Sequence, residues 1–319
     1  MAISVREIGS FHIGGRNVSL SGLPLRSLAF TKGSPLREYS PDGDFETGQM
    51  YVQFIRLAEP TARYPLLMWH GGGMTGATWE TKPDGAPGWQ SFFLHAGHDV
   101  YVSDAVERGR ASWSRYPEVY ANPPHFRSKQ ESWRLFRFGS EAGYAERRAF
   151  EGNLFPVAYF DQFAKQIVPR WGSNDLPTQA AYGALVTKIG PSVVMTHSQG
   201  GMFGYAAALH APKTIKAVIA IEPAGAPDPD GLDLSELRDV PHLLVLGDYI
   251  DRDPFWQEIV GRVNRYLAAI RDSGGVADVI DLPGMGIHGN SHFPMMDRNS
   301  DTVAAMIQDW MRSQGLVSG

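Results

Sequence analysis

The chain has 319 residues, 43% hydrophobic and 20% charged, with a formal net charge of −5, so it can bury a large core in one α/β domain or two smaller ones and carries no basic footprint for nucleic acid. It has no cysteine, which excludes disulfides, zinc–thiolate sites and a thiol nucleophile together. No apolar run reaches the roughly 18 residues of a membrane span, and Met1 to Glu7 lacks the charged-then-apolar pattern of a signal peptide. Localisation stays open, because an exported protein relieved of its leader would read the same way.

Residues 4 to 58 read as β structure broken by Gly14-Gly15, Ser34-Pro35 and Pro41-Asp42-Gly43. Pro65 to His70 is a short apolar run that ends in Gly71-Gly72-Gly73-Met74-Thr75-Gly76. Continuous apolar runs of this kind suit parallel strands buried on both faces. A helix is expected around Trp89 to Ala96 and a strand from His98 to Asp104, followed by the turn Glu107 to Arg110. From Ser112 to Leu176 the pattern changes, with aromatics and arginines crowded together. Trp113, Tyr116, Phe126, Trp133, Phe136 and Phe138 belong to it, as do Arg115, Arg127, Arg134 and Arg137.

A segment of that length between two sheet strands reads as an inserted cap. The expected organisation is therefore a core of 1–111 and 177–319 with a cap at 112–176. The alternation resumes with a helix at Thr178 to Lys188, a strand at Ser192 to Thr196 and an alanine-rich helix after it. Strands at Ile215 to Ile221, His242 to Leu246 and Ala277 to Leu282 follow. Helices are expected at Pro254 to Ser273 and Asp301 to Gln314. Strands alternating with helices imply a mostly parallel sheet covered on both faces, with ligands beyond the carboxyl ends of the strands. Ser198, Glu222, Asp248 and the Gly71–Gly73 turn all fall at those ends.

Val193 to Gly201 has the strand–turn–helix context of a nucleophile elbow, with Ser198 between the small residues Thr196 and Gly200; the strict pattern has glycine at both. Serine needs an adjacent base. The loop after the last strand, where such a fold supplies it, holds His288 and His292. The carboxylate that orients the imidazole comes from one of two strand ends, Asp251 with its neighbour Asp248, or Glu222; the residues alone leave these open. His70-Gly71-Gly72-Gly73 suits an oxyanion turn, with the N–H of Gly72 and that of Gln199 as donors. Gly73, Met74, Trp113 and Trp133 are candidates for substrate contact. His288-x-x-x-His292 with Asp297 has metal-ligand spacing on a helix, but Gly289-Asn290 between the two argues against a helix. No Lys-Ser/Thr pair follows the glycines, so the turn is not a phosphate loop. Neither a metal nor a cofactor is expected.

Four blocks together resemble a family. His-Gly-Gly-Gly-Met-Thr-Gly-x-Thr-Trp-Glu at 70–80, Thr-His-Ser-Gln-Gly-Gly at 196–201, Ile-Glu-Pro at 221–223 and Gly-Asn-Ser-His at 289–292 are similar to the bacterial esterase family typified by the Alcaligenes esterase 713. The resemblance implies an α/β-hydrolase fold and a triad of Ser198, His292 and Glu222, the acid following the sixth strand. It implies oxyanion donors at Gly72 and Gln199, and brings with it export and a homodimer, on which the residues are silent. The chain departs from the family at Gly72-Gly73, where the family pattern has adjacent cysteines, so a more flexible oxyanion turn is expected. The function expected is a serine hydrolase acting through an acyl-enzyme on a small, apolar or aromatic ester or lactone. The cap arginines would equally suit an anionic substrate. The alternatives are an amidase, thioesterase, perhydrolase or lyase on the same fold, or a non-catalytic binding protein.

Overall fold

The computed structural model describes residues 2–113, 119 and 122–317; Arg115 and Tyr116 of the aromatic segment lie outside the described residues. β1 (Val5–Leu20) leads through a short antiparallel pair, β2 (Arg26–Leu28) and β3 (Arg37–Tyr39), into β4 (Gly43–Leu57), which pairs antiparallel with β1 along its length. Gly14-Gly15, read above as a turn, lies inside β1. Both have positive φ, +72° and +90°, a region closed to most side chains. A Cβ on Gly14 would stand 3.0 Å from that of Ala181, so the missing side chain lets the strand lie close against the helix that carries Ala181.

β5 (Leu66–Trp69), α1 (Ala77–Glu80), α2 (Trp89–His95) and β6 (Val100–Asp104) come next. A long excursion holds α3 (Lys129–Leu135) and α4 (Phe160–Ala164). The alternation then resumes with α5 (Asp175–Ile189), β7 (Ser192–His197), α6 (Gln199–His210) and β8 (Ile215–Ile221). It closes with β9 (His242–Leu246), α7 (Pro254–Asp272), β10 (Ala277–Asp281) and α8 (Ser300–Ser313). The sheet order is β1-β4-β6-β5-β7-β8-β9-β10. The β1–β4 and β4–β6 pairs are antiparallel and every other pair is parallel. This is the α/β-hydrolase fold expected from the sequence.

The central strands are continuously apolar because both faces are covered. Leu66, Met68, Val193, Met195, Ala217 and Ile219 face one core, and Leu67, Trp69, Val194, Val218 and Ala220 face the other, as a period of two requires. Trp89, Phe93, Val303 and Ile307 from α2 and α8 cover the first face. Tyr182, Phe203, Trp256 and Tyr266 from α5, α6 and α7 cover the second. Trp133, Phe138, Phe155 and Phe163 of the excursion join the first core rather than forming a separate one. No described helix is long and apolar enough to cross a membrane. Beyond the carboxyl ends of β5, β7, β8 and β10 lie the glycine turn, Ser198, Glu222 and the His292 loop.

Candidate active site

Ser198 joins β7 to α6 with φ +52° and ψ −118°, a strained backbone for a residue with a Cβ. The neighbours over-determine it. Ser198 N–H donates to Ile221 O at 3.1 Å, and the N–H groups of Gly201 and Ala224 donate to Ser198 O, each at 2.9 Å. Gly200 leaves no room for a side chain, since a Cβ there would lie 2.8 Å from His70 O. Thr196 fits the other tight position because α6 yields the space instead. A Cβ on Gly204 would lie 2.8 Å from Thr196 Cγ2, and Thr196 Oγ1 donates to Ile219 O at 3.3 Å.

His292 is fully buried, with Nδ1 3.0 Å from Glu222 Oε2. The same oxygen lies 2.7 Å from Arg137 Nη2, while Gly247 N–H donates to Oε1. Burial alone would raise the Glu222 pKa; the Arg137 charge and then His292 outweigh it and hold the carboxyl at about 2. Burial lowers His292 to about 4, with Glu222 working against that shift and Arg137 and Arg127 adding to it. The imidazole is therefore neutral near neutral pH, and its Nε2 has no hydrogen-bond partner among the described residues. Phe136 stacks on the ring (centroids 5.6 Å apart, planes at 8°), Trp256 lies 4.3 Å away, and His292 N–H donates to Phe136 O. Asp297 pins the loop by accepting from Ser291 N, Ser291 Oγ and Asn290 Nδ2; burial pushes its carboxyl up to about 7.

The rival carboxylates do not face His292. Asp251 is exposed, in the turn Ile250–Arg252. Asp248 accepts from Tyr249 N and Gly289 N and faces His288 at 3.4 Å. The two loop histidines thus turn to different carboxylates, and no described group of three or more His, Asp or Glu could hold a metal ion.

In the glycine turn, His70 Nε2 accepts from Ala105 N at 2.9 Å, which leaves Nδ1–H to donate to Gly71 O at 2.8 Å. Burial, then Arg108, lowers its pKa to about 4, so this arrangement holds at neutral pH. A Cβ on Gly71 would lie 2.8 Å from Ser198 Cβ, which brings the turn directly against the serine. Gly72 N–H has no acceptor among the described residues. Gln199 N–H belongs to the first turn of α6, where such groups lack helical acceptors.

One cavity of about 550 Å³ gathers Ser198, His292, Gly72 and Gln199. Phe136, Met202, Phe203, Phe255 and Trp256 give it apolar walls, and Arg127, Arg170 and Asp175 its charges. The four substrate-contact candidates do not line it. Trp133 is fully buried among Phe138, Tyr144 and Phe160, its Nε1–H bound to Ser140 O. Met74 is buried in the core below the turn, Trp113 packs on Trp171 at 4.9 Å, and Gly73 turns toward Arg127. Arg137, considered above for an anionic substrate, is instead buried on Glu222, and Arg134 pairs with Asp253 at the surface. The sequence reading also missed His197. Its Nε2–H donates to His292 O at 2.8 Å, and burial drives its pKa well down. The available signal was a histidine ending a strand built on the apolar run Val193 to Met195, where a neutral ring must find a partner.

A scan against protein-family models gives no match. A curated fungal protein, the probable secreted lipase phiG of Fungal sp. (strain ATCC 74256), is 27% identical over 335 residues, spanning 85% of this chain and 88% of its own. A solved structure described as a novel bacterial esterase superposes with a TM-score of 0.85 at 32% identity, covering 98% of each chain. With that identity along nearly its whole length, the chain belongs to the α/β-hydrolase family of this bacterial esterase.

Proposed function

We propose that the protein is a serine carboxylic-ester hydrolase that works through an acyl-enzyme. The observation that carries this reading is the state of His292: Nδ1 is fixed on Glu222 at 3.0 Å while Nε2, without a partner among the described residues, shares a cavity with Ser198. Nε2 takes the proton of Ser198 Oγ as that oxygen attacks the ester carbonyl. Glu222 holds the Nδ1–H tautomer and stabilises the imidazolium, which then protonates the departing alcohol. Water activated by the same nitrogen releases the acid. The N–H groups of Gly72 and Gln199 receive the oxyanion; His70 sets the turn of the first, and His197 holds the His292 backbone.

The esterase and lipase relatives support ester hydrolysis over other acyl transfers. The apolar walls and modest volume suit a small apolar or aromatic ester or lactone, beneath a cap formed by the 112–176 segment. Ser198 is 8% exposed, consistent with a site shielded from large polymers. The test is hydrolysis of p-nitrophenyl acetate, butyrate and octanoate by wild type, Ser198→Ala, Glu222→Gln and Asp251→Asn. Activity should fall by on the order of 10⁴-fold or more in Ser198→Ala, by orders of magnitude in Glu222→Gln, and little in Asp251→Asn. A collapse in Asp251→Asn instead would move the acid, and equal activity in wild type and Ser198→Ala would remove the serine mechanism.

A further inference from the structure

We infer that the cavity selects esters bearing a carboxylate a few bonds from the scissile carbonyl, held by Arg170 and Arg127 beside the glycine turn. The inference rests on the hydrolase reading above and adds to it the class of substrate. Both guanidinium groups converge on Gly72 and Gly73. A Cβ on Gly72 would stand 2.6 Å from Arg170 Nη1, and one on Gly73 would stand 3.4 Å from Arg127 Nη1. Arg170 therefore occupies the space that the missing side chain of Gly72 leaves open, next to the N–H proposed to bind the oxyanion. Arg127 Nη1 donates to Gly72 O at 3.3 Å and its Nε to Glu131 Oε1 at 2.9 Å, so this cation is braced in place and already paired.

Arg170 is different. Its backbone pairs with His125, but its guanidinium makes no hydrogen bond or close ion pair among the described residues. Two carboxylates act on it from a distance. Asp175 sits exposed at the cavity rim and accepts from Gln199 Nε2. Glu107 is buried, and burial pushes its pKa up to about 7, which weakens it as a counter-charge. Burial lowers the pKa of Arg170, Asp175 opposes that shift, and Arg127 adds to it. A half-buried, planar donor fork without a committed acceptor is the group that binds a carboxylate in two parallel hydrogen bonds. Phe136, which lies under the Arg127 guanidinium at 5.2 Å, and Phe255 and Trp256 give the rest of the cavity apolar walls that accept the uncharged part of such a substrate. A neutral ester gains from those walls but leaves the cation unmatched; an anionic one uses both.

The experiment compares mono-4-nitrophenyl glutarate with 4-nitrophenyl pentanoate, which share chain length and leaving group and differ in the terminal carboxylate. A second pair, 4-carboxyphenyl and phenyl pentanoate, moves the charge to the alcohol side. Wild type should favour the anionic member of at least one pair by about 10- to 100-fold in kcat/KM, the range of a charge-assisted hydrogen bond, and the favoured pair tells which side carries the anion. Arg170→Gln should bring that ratio down by about tenfold or more, whatever happens to the absolute rates, and Arg127→Gln should lower it less. A ratio near one in wild type, or one unchanged in Arg170→Gln, overturns the inference and leaves the esterase reading standing. Calorimetric binding of glutaric acid monoanilide and pentananilide to Ser198→Ala separates the converse case. Tighter binding of the anionic anilide, lost on adding Arg170→Gln, supports the anion site even if wild type hydrolyses none of the esters.

Discussion

At the residue scale, the distinctive feature is that one oxygen of Glu222 serves both His292 and Arg137, at 3.0 and 2.7 Å. In a buried site the two cations oppose one another: Arg137 makes the carboxylate permanent and makes the imidazolium harder to form. The sign follows for the pH profile. His292 is lowered to about 4, so in the proposed mechanism it remains unprotonated, and able to act as the base, well below the ordinary histidine range near 6.5. The acid limb of kcat/KM should accordingly fall at about pH 4. In Arg137→Gln a positive charge is gone, protonation of His292 becomes easier, and the limb should move to higher pH. That variant should also lose about 3–5 kcal/mol of stability, as expected when one partner of a buried pair is removed, so its profile must be taken where it remains folded. A wild-type limb near pH 6.5 would mean that the imidazole is better solvated than its surroundings imply.

At the element scale, the β7–α6 connection explains a departure from the usual elbow. Thr196 in place of glycine keeps its methyl only because Gly204, in the second turn of α6, has none. Both are small-residue positions of one packing contact, although they stand eight positions apart in sequence on either side of the serine. Gly204→Ala should therefore overpack the strand–helix contact, costing about 1–3 kcal/mol and lowering activity by shifting the Ser198 turn. Thr196→Ser, which deletes the methyl and keeps the hydroxyl bonded to Ile219 O, should restore much of the loss in the double variant. Thermal unfolding and ester hydrolysis read both. No recovery in the double variant would place the strain elsewhere. The same logic makes the elbow partly legible in sequence: its requirement for small neighbours is local, whereas the compensating glycine is recognised only once the helix is docked.

At the scale of the whole molecule, the excursion between β6 and α5 is joined to the hydrolase core through backbone as well as side chains. Leu154 N–H donates to Gly289 O, His292 N–H to Phe136 O and Arg298 N–H to Leu154 O. Trp256 Nε1–H reaches Leu135 O, and the aromatic interior of the segment is continuous with the core. Breaking these contacts would expose the His292 loop itself. Far-ultraviolet circular dichroism and tryptophan fluorescence should report coincident transitions; a separate early melting of the aromatic segment would contradict this. Acid should act on the whole fold through the same site. Glu222 titrates near 2 when folded and from 4.5 as its reference, so it contributes stability above that reference that is lost as pH falls from about 4.5 toward 2.

The sequence by itself determined the alternation of apolar strands with helices and the backbone-dependent parts of the site. Buried parallel strands must be continuously apolar, and turns at Ser198 and at Gly71–Gly73 tolerate few residue types, so both are written locally. It also held Glu222 as one of two candidate acids without choosing between them on residue grounds. Only the tertiary structure decided that Glu222 faces His292 while Asp251 stands at the surface. It also turned Arg137 inward and Arg170 toward the cavity, and sank Trp133 and Met74 into the core. The reason is geometric: long side chains from a looping segment carry no periodic signal for their direction. Their partners lie on strands and loops far away in sequence, brought close only when the sheet is assembled.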